Sequence, residues 1–310
     1  MYGKTLVIVN PAAQSGKASQ VAAHAASVLN HIKTKTANTF SEYRFYYTVK
    51  QNDATEITQK EGANYQTLFV IGGDGVIHEV INGLMTLPRS QRPRLGIIPC
   101  GNGNDFARTI GMDRDPKKAL HRLESHAMVA KQIDVARANT SWFIETMSFG
   151  LDAAIALGTQ ELRKKTKRTG TSLYLQCGID QLKNHRNVHT CTLSLDGGDP
   201  QTISCYLLAV QNGPHYGGGF KVCPQARLND GKLDICYATP TLSFGAAIKV
   251  FMQAKNGNHT HHPHLHFAQA QKVEVAFEKP LPIQIDGERF TDTTVTIEAF
   301  PGELEVYIPE

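Results

Sequence analysis

The chain lacks any run approaching the roughly 18 to 20 consecutive apolar residues that a membrane-spanning helix requires, so no segment is expected to cross a bilayer. It has no C-x-x-C pair, and none of its six cysteines (100, 177, 191, 205, 223 and 236) stands at metal-ligand spacing from a histidine. That argues against a zinc site or a disulfide framework and for reduced, mostly buried thiols in a cytosolic protein. The segment from Met1 to Pro11 passes from Lys4 into a short apolar strand without the h-region of a signal peptide, so a cytoplasmic location is expected. Excess charge is also missing: 32 basic against 28 acidic residues leave +4, too little to imply a nucleic-acid partner. No biased tract points to disorder or collagen, and no repeat recurs at a solenoid period. What remains is an ordinary globular composition, 41% hydrophobic and 19% charged, in 310 residues, which is enough for two domains or one large α/β unit.

From residue 4 to about 130, short β-branched runs alternate with helical patterns. Thr5 to Val9, Tyr43 to Val49, Thr67 to Ile71 and Arg94 to Ile98 read as strands; Ser19 to Ile32, Ala54 to Ala63, Val76 to Met85 and the stretch from Phe106 onward read as helices. This alternation predicts a parallel sheet with helices on both faces, with ligands at the C-terminal strand ends. Three polar, glycine-containing loops fall there: Asn10 to Lys17, Gly72 to Gly75 and Pro99 to Asp105. After residue 135 strand-like runs dominate: Trp142 to Ser148, Thr190 to Leu195, Ile203 to Gln211, Leu233 to Ala238, Lys272 to Phe277, Ile283 to Asp286, Val295 to Ala299 and Leu304 to Ile308. Helical insertions at Ala153 to about Lys183 and Ser243 to about Lys255 interrupt this mainly antiparallel half.

The glycine loops carry the chemistry. Gly72-Gly73-Asp74-Gly75 joins a strand to a helix, and glycines let a backbone approach phosphate while N–H groups at a helix start attract anions. Asp74 beside phosphates would repel them unless it engages a ribose hydroxyl, a magnesium-bound water or a helix N-cap; a plain capped turn is the alternative. The loop at Gly101 and Gly103 repeats the design, with Asp105 placed to cap the next helix. Neither the Walker A spacing nor the third glycine of the dinucleotide fingerprint is present.

Taken together, N-P-x-x-x-S-G-K, G-G-D-G-x-x-x-E-V-x-N-G-L and P-x-G-x-x-N-D-F-A-R resemble the catalytic domain of the diacylglycerol kinase and sphingosine kinase superfamily, above all its bacterial soluble lipid kinases. The resemblance continues through Asn212-Gly213, Gly217-Gly218-Gly219, Pro224-Gln225-Ala226, the run from Asn229 to Asp234, and Asp286-Gly287-Glu288. It implies an N-terminal parallel-sheet α/β domain like those of phosphofructokinases and NAD kinases over 1–133, rejoined by about 295–310. A C-terminal antiparallel β-sandwich domain with helical insertions would cover 134–294, with the active site in the cleft between them.

The implied activity is ATP-dependent phosphorylation of a lipid hydroxyl with Mg2+, diacylglycerol becoming phosphatidic acid in phospholipid biosynthesis. By motif position, Gly72, Gly73, Asp74, Gly75, Val76, Ile77 and His78, with Glu79, would form the phosphate loop. Asn10, Thr48, Gly101, Asn102, Asn104 and Asp105 would complete the nucleotide site. Glu288 matches the general base, and Asp74 would organise nucleotide or catalytic magnesium. Asp230, with the backbone carbonyls of Arg227 and Lys232, matches a structural magnesium site. Read from the residues alone, Glu288 is also consistent with an exposed hairpin acid, with Asp286 as its competitor, and Asp230 with a plain Asn-Asp-Gly turn.

Three positions depart from the pattern: Val76 stands for Thr or Ser, His78 for a frequent Asn, and Glu145 for a common Asn. Losing the hydroxyl at 76 removes one hydrogen bond, worth about 0.5 to 1.5 kcal/mol. The run Arg163-Lys164-Lys165-Thr166-Lys167-Arg168 suits either an anionic bilayer surface or a solvated loop. Five histidines between His259 and His266 favour an exposed segment over a metal site. The expected partner is therefore a membrane lipid, with peripheral association at the inner face of the membrane; an exposed edge strand would allow a homodimer. A kinase for a soluble hydroxyl, as in NAD kinases, and a non-catalytic nucleotide or lipid sensor are the alternative functions.

Overall fold

The computed structural model describes residues 2–35, 41–166, 168 and 171–310. They fall into two compact units, 1–133 with 302–310, and 134–301.

In the first unit, β1 (Lys4–Val9), α1 (Lys17–Lys35), β2 (Glu42–Tyr47), α2 (Asp53–Glu61), β3 (Thr67–Gly72), α3 (Asp74–Leu84), β4 (Arg94–Pro99), α4 (Asp105–Thr109) and α5 (Pro116–Glu124) follow in order. The strands are parallel in the order β2-β1-β3-β4. Every residue of β3 is buried, as a strand covered on both faces demands. Helix α1 covers the sheet with Ala22, Ala25, Leu29 and Ile32, spaced three and four apart. The crossover direction reverses between β1 and β3, so the crevice at their C-terminal ends is the topological switch point where ligands bind in such sheets. The chain's end returns here: Val306 pairs with Leu95 in parallel, and Arg92 and Arg94 form ion pairs with Glu303 (2.5 Å) and Glu305 (2.9 Å).

The strand β5 (Met128–Ala138) leads out of the first unit. The second continues with β6 (Ser141–Phe143), β7 (Thr146–Gly150), α6 (Leu151–Thr166), α7 (Thr171–Asn184), β8 (His189–Leu195), β9 (Gln201–Cys205), β10 (Leu207–Gln211) and β11 (Leu233–Ala238). Then come α8 (Phe244–Ala254), β12 (Leu265–Ala270), β13 (Lys272–Phe277), β14 (Ile283–Ile285), β15 (Glu288–Phe290) and β16 (Thr294–Pro309). One antiparallel sheet runs β12-β11-β10-β7-β14-β15; against it lies a layer of β9, β8, β13 and the first half of β16. Phe149, Leu208, Val210 and Ile235 from one layer meet Leu193, Val273, Val275 and Ile297 from the other in a shared core, which makes this unit a β-sandwich. The outer face of the first sheet is covered by α6, α7 and α8 through Ile155, Tyr174 and Phe251, and by Tyr216 and Phe220 from the segment between β10 and β11.

Several expected elements divide or merge. Ile203 to Gln211 is two strands, because the chain passes from one layer of the sandwich to the other at Tyr206. Val295 to Ala299 and Leu304 to Ile308 lie on the single strand β16, whose first half pairs with β13; the return to the first unit begins at Gly302 rather than near 295. The expected insertion from Ala153 is two helices, α6 and α7. Of the basic run, Arg163, Lys164 and Lys165 form the last turn of α6, where cations complement the helix dipole, and Lys167 lies outside the described residues.

All six cysteines are buried free thiols, and no helix among the described residues is long and apolar enough to cross a membrane. The histidine segment is anchored rather than wholly exposed. His259 is buried and its Nε2 donates to the Val222 carbonyl (2.9 Å), while the His266 ring stacks on Tyr237 (4.8 Å). No group of three or more potential side-chain metal ligands occurs among the described residues. Burial pushes His259 below its ordinary pKa of 6.5, so the unfolded chain takes up a proton more readily than the folded one. Its contribution to stability is complete above the unfolded value and is lost as pH falls through the depressed folded value. The urea midpoint is therefore expected to drop between about pH 7.5 and about pH 5, and His259→Gln to flatten part of that slope.

Candidate active site

Three loops converge at the C-terminal ends of β1, β3 and β4. A Cβ on Gly73 would lie 2.8 Å from the Gly101 Cα, and one on Gly101 would collide with the Gly73 Cα. Only two glycines allow the second and third loops to touch backbone to backbone. Gln14, held at φ +47°, reaches across from the first loop and donates to the Gly101 carbonyl (2.7 Å). Asn104 is buried in the left-handed region at φ +52°, accepting from the Gly101 N–H (2.8 Å) and donating to the Gly101 carbonyl (3.1 Å).

Asp74 opens α3, yet its Oδ1 accepts from the Asp105 N–H (2.8 Å) and the Phe106 N–H (3.3 Å) at the start of α4. It thus caps the helix of the neighbouring loop, one of the roles its position suggested, and clasps two of the three loops together. Asp105 lies 3.6 Å from the Arg108 guanidinium.

The remaining expected nucleotide residues separate into those exposed to solvent and those buried or bonded elsewhere. Gly75, in the first turn of α3, and Asn102, in the third loop, are exposed. No side chain caps α3 at Gly73, so its opening turn presents backbone N–H groups beside Gly75. Asn10 sits next to Gly72, and its Oδ1 accepts from the Ala12 N–H (3.1 Å). Thr48 is buried, with both its N–H and its hydroxyl directed at the Val9 carbonyl (2.9 and 3.3 Å). Val76 and Ile77 point into the core, Val76 packing over Gly72, so only their backbones could serve an anion. His78 pairs with Asn82 one turn on (3.3 Å).

Glu79 spends both oxygens on the start of α2, accepting from the N–H groups of Asn52 (3.0 Å) and Ala54 (3.1 Å). Glu79→Ala is expected to lower stability by about 1 kcal/mol, the cost of a lost helix cap, while the KM for ATP stays within about twofold. Denaturant titration and steady-state kinetics check the two halves.

In the second unit, β14 turns into β15 through Asp286 at φ +47° and Gly287 at φ +92°. Asp286 Oδ2 accepts from the Ile144 N–H (2.9 Å), and its Oδ1 from the N–H groups of Glu145 and Thr146 (both 3.0 Å). A carboxylate holding three backbone amides is a structural clamp. Two residues on, Glu288 is half-buried, and among the described residues no hydrogen bond or ion pair engages its carboxylate. Of the two competing acids, Asp286 is committed and Glu288 is available. Glu145 is buried, and its side chain occupies the space a Cβ on Gly213 would need.

The turn at Asn229 to Gly231 is braced by a residue the sequence did not single out. Buried Asp134 accepts from the Gly231 N–H (2.7 Å), while Asn212 Nδ2 donates to the Asp134 carbonyl (3.1 Å). Asp230 is exposed, and its Oδ1 accepts from the Lys232 N–H (3.1 Å) in an Asx turn. Its second oxygen and the carbonyls of Arg227 and Lys232 are oxygen donors, the ligand type a hard cation takes.

A model of the diacylglycerol kinase catalytic domain matches residues 4–138, and one of the YegS C-terminal NAD kinase β-sandwich-like domain matches residues 145–308. A diacylglycerol kinase of Bacillus subtilis strain 168 is 32% identical over 76% of this chain and 76% of its own length. One from Staphylococcus carnosus strain TM300 is 28% identical over 91% of this chain and 90% of its own. Two crystal structures from Bacillus anthracis strain Sterne cover 100% of this chain and 96% and 97% of theirs. Their TM-scores are 0.81 and 0.76 at 25% and 24% identity, and the second is of a diacylglycerol kinase.

Proposed function

Because the chain belongs to the diacylglycerol kinase catalytic-domain family of lipid kinases, we propose that it transfers the γ-phosphate of ATP to the hydroxyl of diacylglycerol, making phosphatidic acid. The observation that carries the catalytic assignment is the difference between two neighbouring acids: Asp286 is consumed by three amides, and Glu288 is engaged by none of the described residues.

The lipid hydroxyl oxygen attacks the γ-phosphorus in line, forming the new P–O bond as the bond to ADP breaks. Glu288 takes the hydroxyl proton, and ADP leaves with the electron pair of the broken bond. Little covalent work falls to the protein otherwise, so positioning and charge stabilisation dominate. The touching loops at Gly73 and Gly101 hold the phosphates with backbone N–H groups at the start of α3. Asp74 organises the nucleotide indirectly, by fixing the second and third loops at one separation, and Asn102 supplies an exposed polar contact. Magnesium bound with ATP would neutralise phosphate charge, and Asp230 with the carbonyls of Arg227 and Lys232 would hold a structural ion.

Diacylglycerol as acceptor is supported by the relatives of that name. A bilayer substrate also gives a use to Arg163, Lys164 and Lys165, since cations near an anionic membrane surface contribute about 1 kcal/mol each. The enzyme would work at the inner face of the membrane without crossing it. The test is an acceptor panel with labelled ATP and magnesium, offering diacylglycerol, monoacylglycerol, ceramide, sphingosine and phosphatidylglycerol in separate mixed micelles. Diacylglycerol is expected to be preferred in kcat/KM by at least about tenfold, roughly 1.4 kcal/mol of transition-state discrimination. Equal labelling of all five would overturn the acceptor assignment, and labelling of none would favour a soluble substrate or nucleotide sensing.

A further inference from the structure

The turn that carries Glu288 is gripped from both sides by glutamines. Gln284, 1% exposed, accepts from the Gly287 N–H (2.7 Å) through Oε1 and donates to Ser148 Oγ (2.7 Å) through Nε2. Ser148 in turn bonds to buried Asp152, which also accepts from the Tyr216 hydroxyl. That side of the turn is therefore built into β7 and β14, with Asp152 at the start of α6 behind them. The other side is held from a helix: Gln160, on α6, donates from Nε2 to the Gly287 carbonyl (2.6 Å). Glu161 and Arg289 add an ion pair at 3.5 Å, but its side chains are 61% and 63% exposed, so it contributes little.

We propose that Gln160 is a positioning residue for the reaction, setting the direction of the Glu288 carboxylate through the Gly287 carbonyl and so tying helix α6 to the general base. This rests on Glu288 being that base. The Gly287 carbonyl and the Glu288 N–H belong to one planar peptide. Holding that carbonyl fixes the plane from which the Glu288 side chain departs. Gly287 stands at φ +92°, where the backbone is free to rotate unless held, and a Cβ there would lie 3.2 Å from Gln160 Nε2. No other side chain among the described residues is seen to donate to that carbonyl. The last turn of the same helix carries Arg163, Lys164 and Lys165, so a change in α6 at an anionic surface would reach the base through one hydrogen bond.

Gln160→Met keeps the length and apolar stem but cannot donate. It is expected to lower kcat with diacylglycerol micelles by roughly tenfold, with the KM for ATP within about twofold. Gln160→Glu provides the signature that a merely structural role lacks. Its carboxylate would face a carbonyl oxygen at neutral pH but donate once protonated, so kcat relative to wild type should recover as pH falls toward about 5. Gln160→Met should show no such recovery, and amide exchange across 283–290 should quicken in it.

Wild-type kcat and unchanged exchange in Gln160→Met, with Glu288→Gln inactive, would overturn the coupling and leave the base in place. Loss of kcat in step with thermal stability, equal for both variants at every pH, would overturn it in favour of a structural role. Wild-type kcat in Glu288→Gln would instead overturn the base assignment beneath it. If no lipid is labelled by wild type, the lipid-kinase reading on which the proposal rests fails, and the proposal is overturned with it whatever the exchange rate.

Discussion

Glu288→Gln is expected to lower kcat by about 10³-fold, within the range that a positioned general base contributes, while calorimetry with a non-hydrolysable ATP analogue stays within about twofold of wild type. The substitution is nearly isosteric. Because no described group bonds to the Glu288 carboxylate, its replacement by an amide leaves no broken pair behind, and the unfolding midpoint should not move. Asp286 predicts the opposite pattern. Its carboxylate holds the N–H groups of Ile144, Glu145 and Thr146, so removing it would cost stability as well as rate. A loss of kcat in Glu288→Gln matched by an equal loss of stability would place Glu288 among the structural acids.

The second large effect belongs to Gly101→Ala. Its added methyl would be driven against the Gly73 Cα and would meet the Asn104 Oδ1 at 2.7 Å. The obstacle is backbone on one side and a doubly bonded side chain on the other, so neither can yield cheaply. The second and third loops must part, pulling on the Asp74 clasp to Asp105 and Phe106 and on the Gln14 bond to the Gly101 carbonyl. Overpacking of this kind costs about 1 to 3 kcal/mol of stability. ATP affinity is expected to fall by at least about tenfold, because the phosphate-facing backbone is displaced. Calorimetry with the ATP analogue and urea denaturation read the two effects, and unchanged ATP affinity would remove the loops from the nucleotide site.

Periodicity made the first unit legible. Strands buried on both faces read as short apolar runs, and α3 showed its inner face in Val76, Ile77, Val80, Ile81 and Leu84. The sandwich was harder, because an alternating pattern does not reveal which sheet a strand joins. Ile203 to Gln211 looks continuous in sequence but divides at Tyr206 between two layers. Site residues divided in a similar way. The glycine loops carried a local signal, since glycine beside a helix start has few explanations. Glu288 was found by resemblance. The commitments of its neighbours were invisible, because Asp286 bonds to amides about 140 positions away and Glu79 caps a helix 25 to 27 positions upstream. Gln160 and Asp134 had no signal at all: each is an ordinary polar residue until folding brings it to Gly287 or Gly231.

Lipid phosphoryl transfer is tested most directly by giving wild-type protein magnesium and ATP with an isotopically labelled γ-phosphate, in the presence of a mixed lipid extract and a soluble metabolite pool together, and identifying every labelled product by mass spectrometry. Label on diacylglycerol, recovered as phosphatidic acid and absent with Glu288→Gln, is the expected result. Label confined to a water-soluble acceptor, or released only as inorganic phosphate, would contradict it.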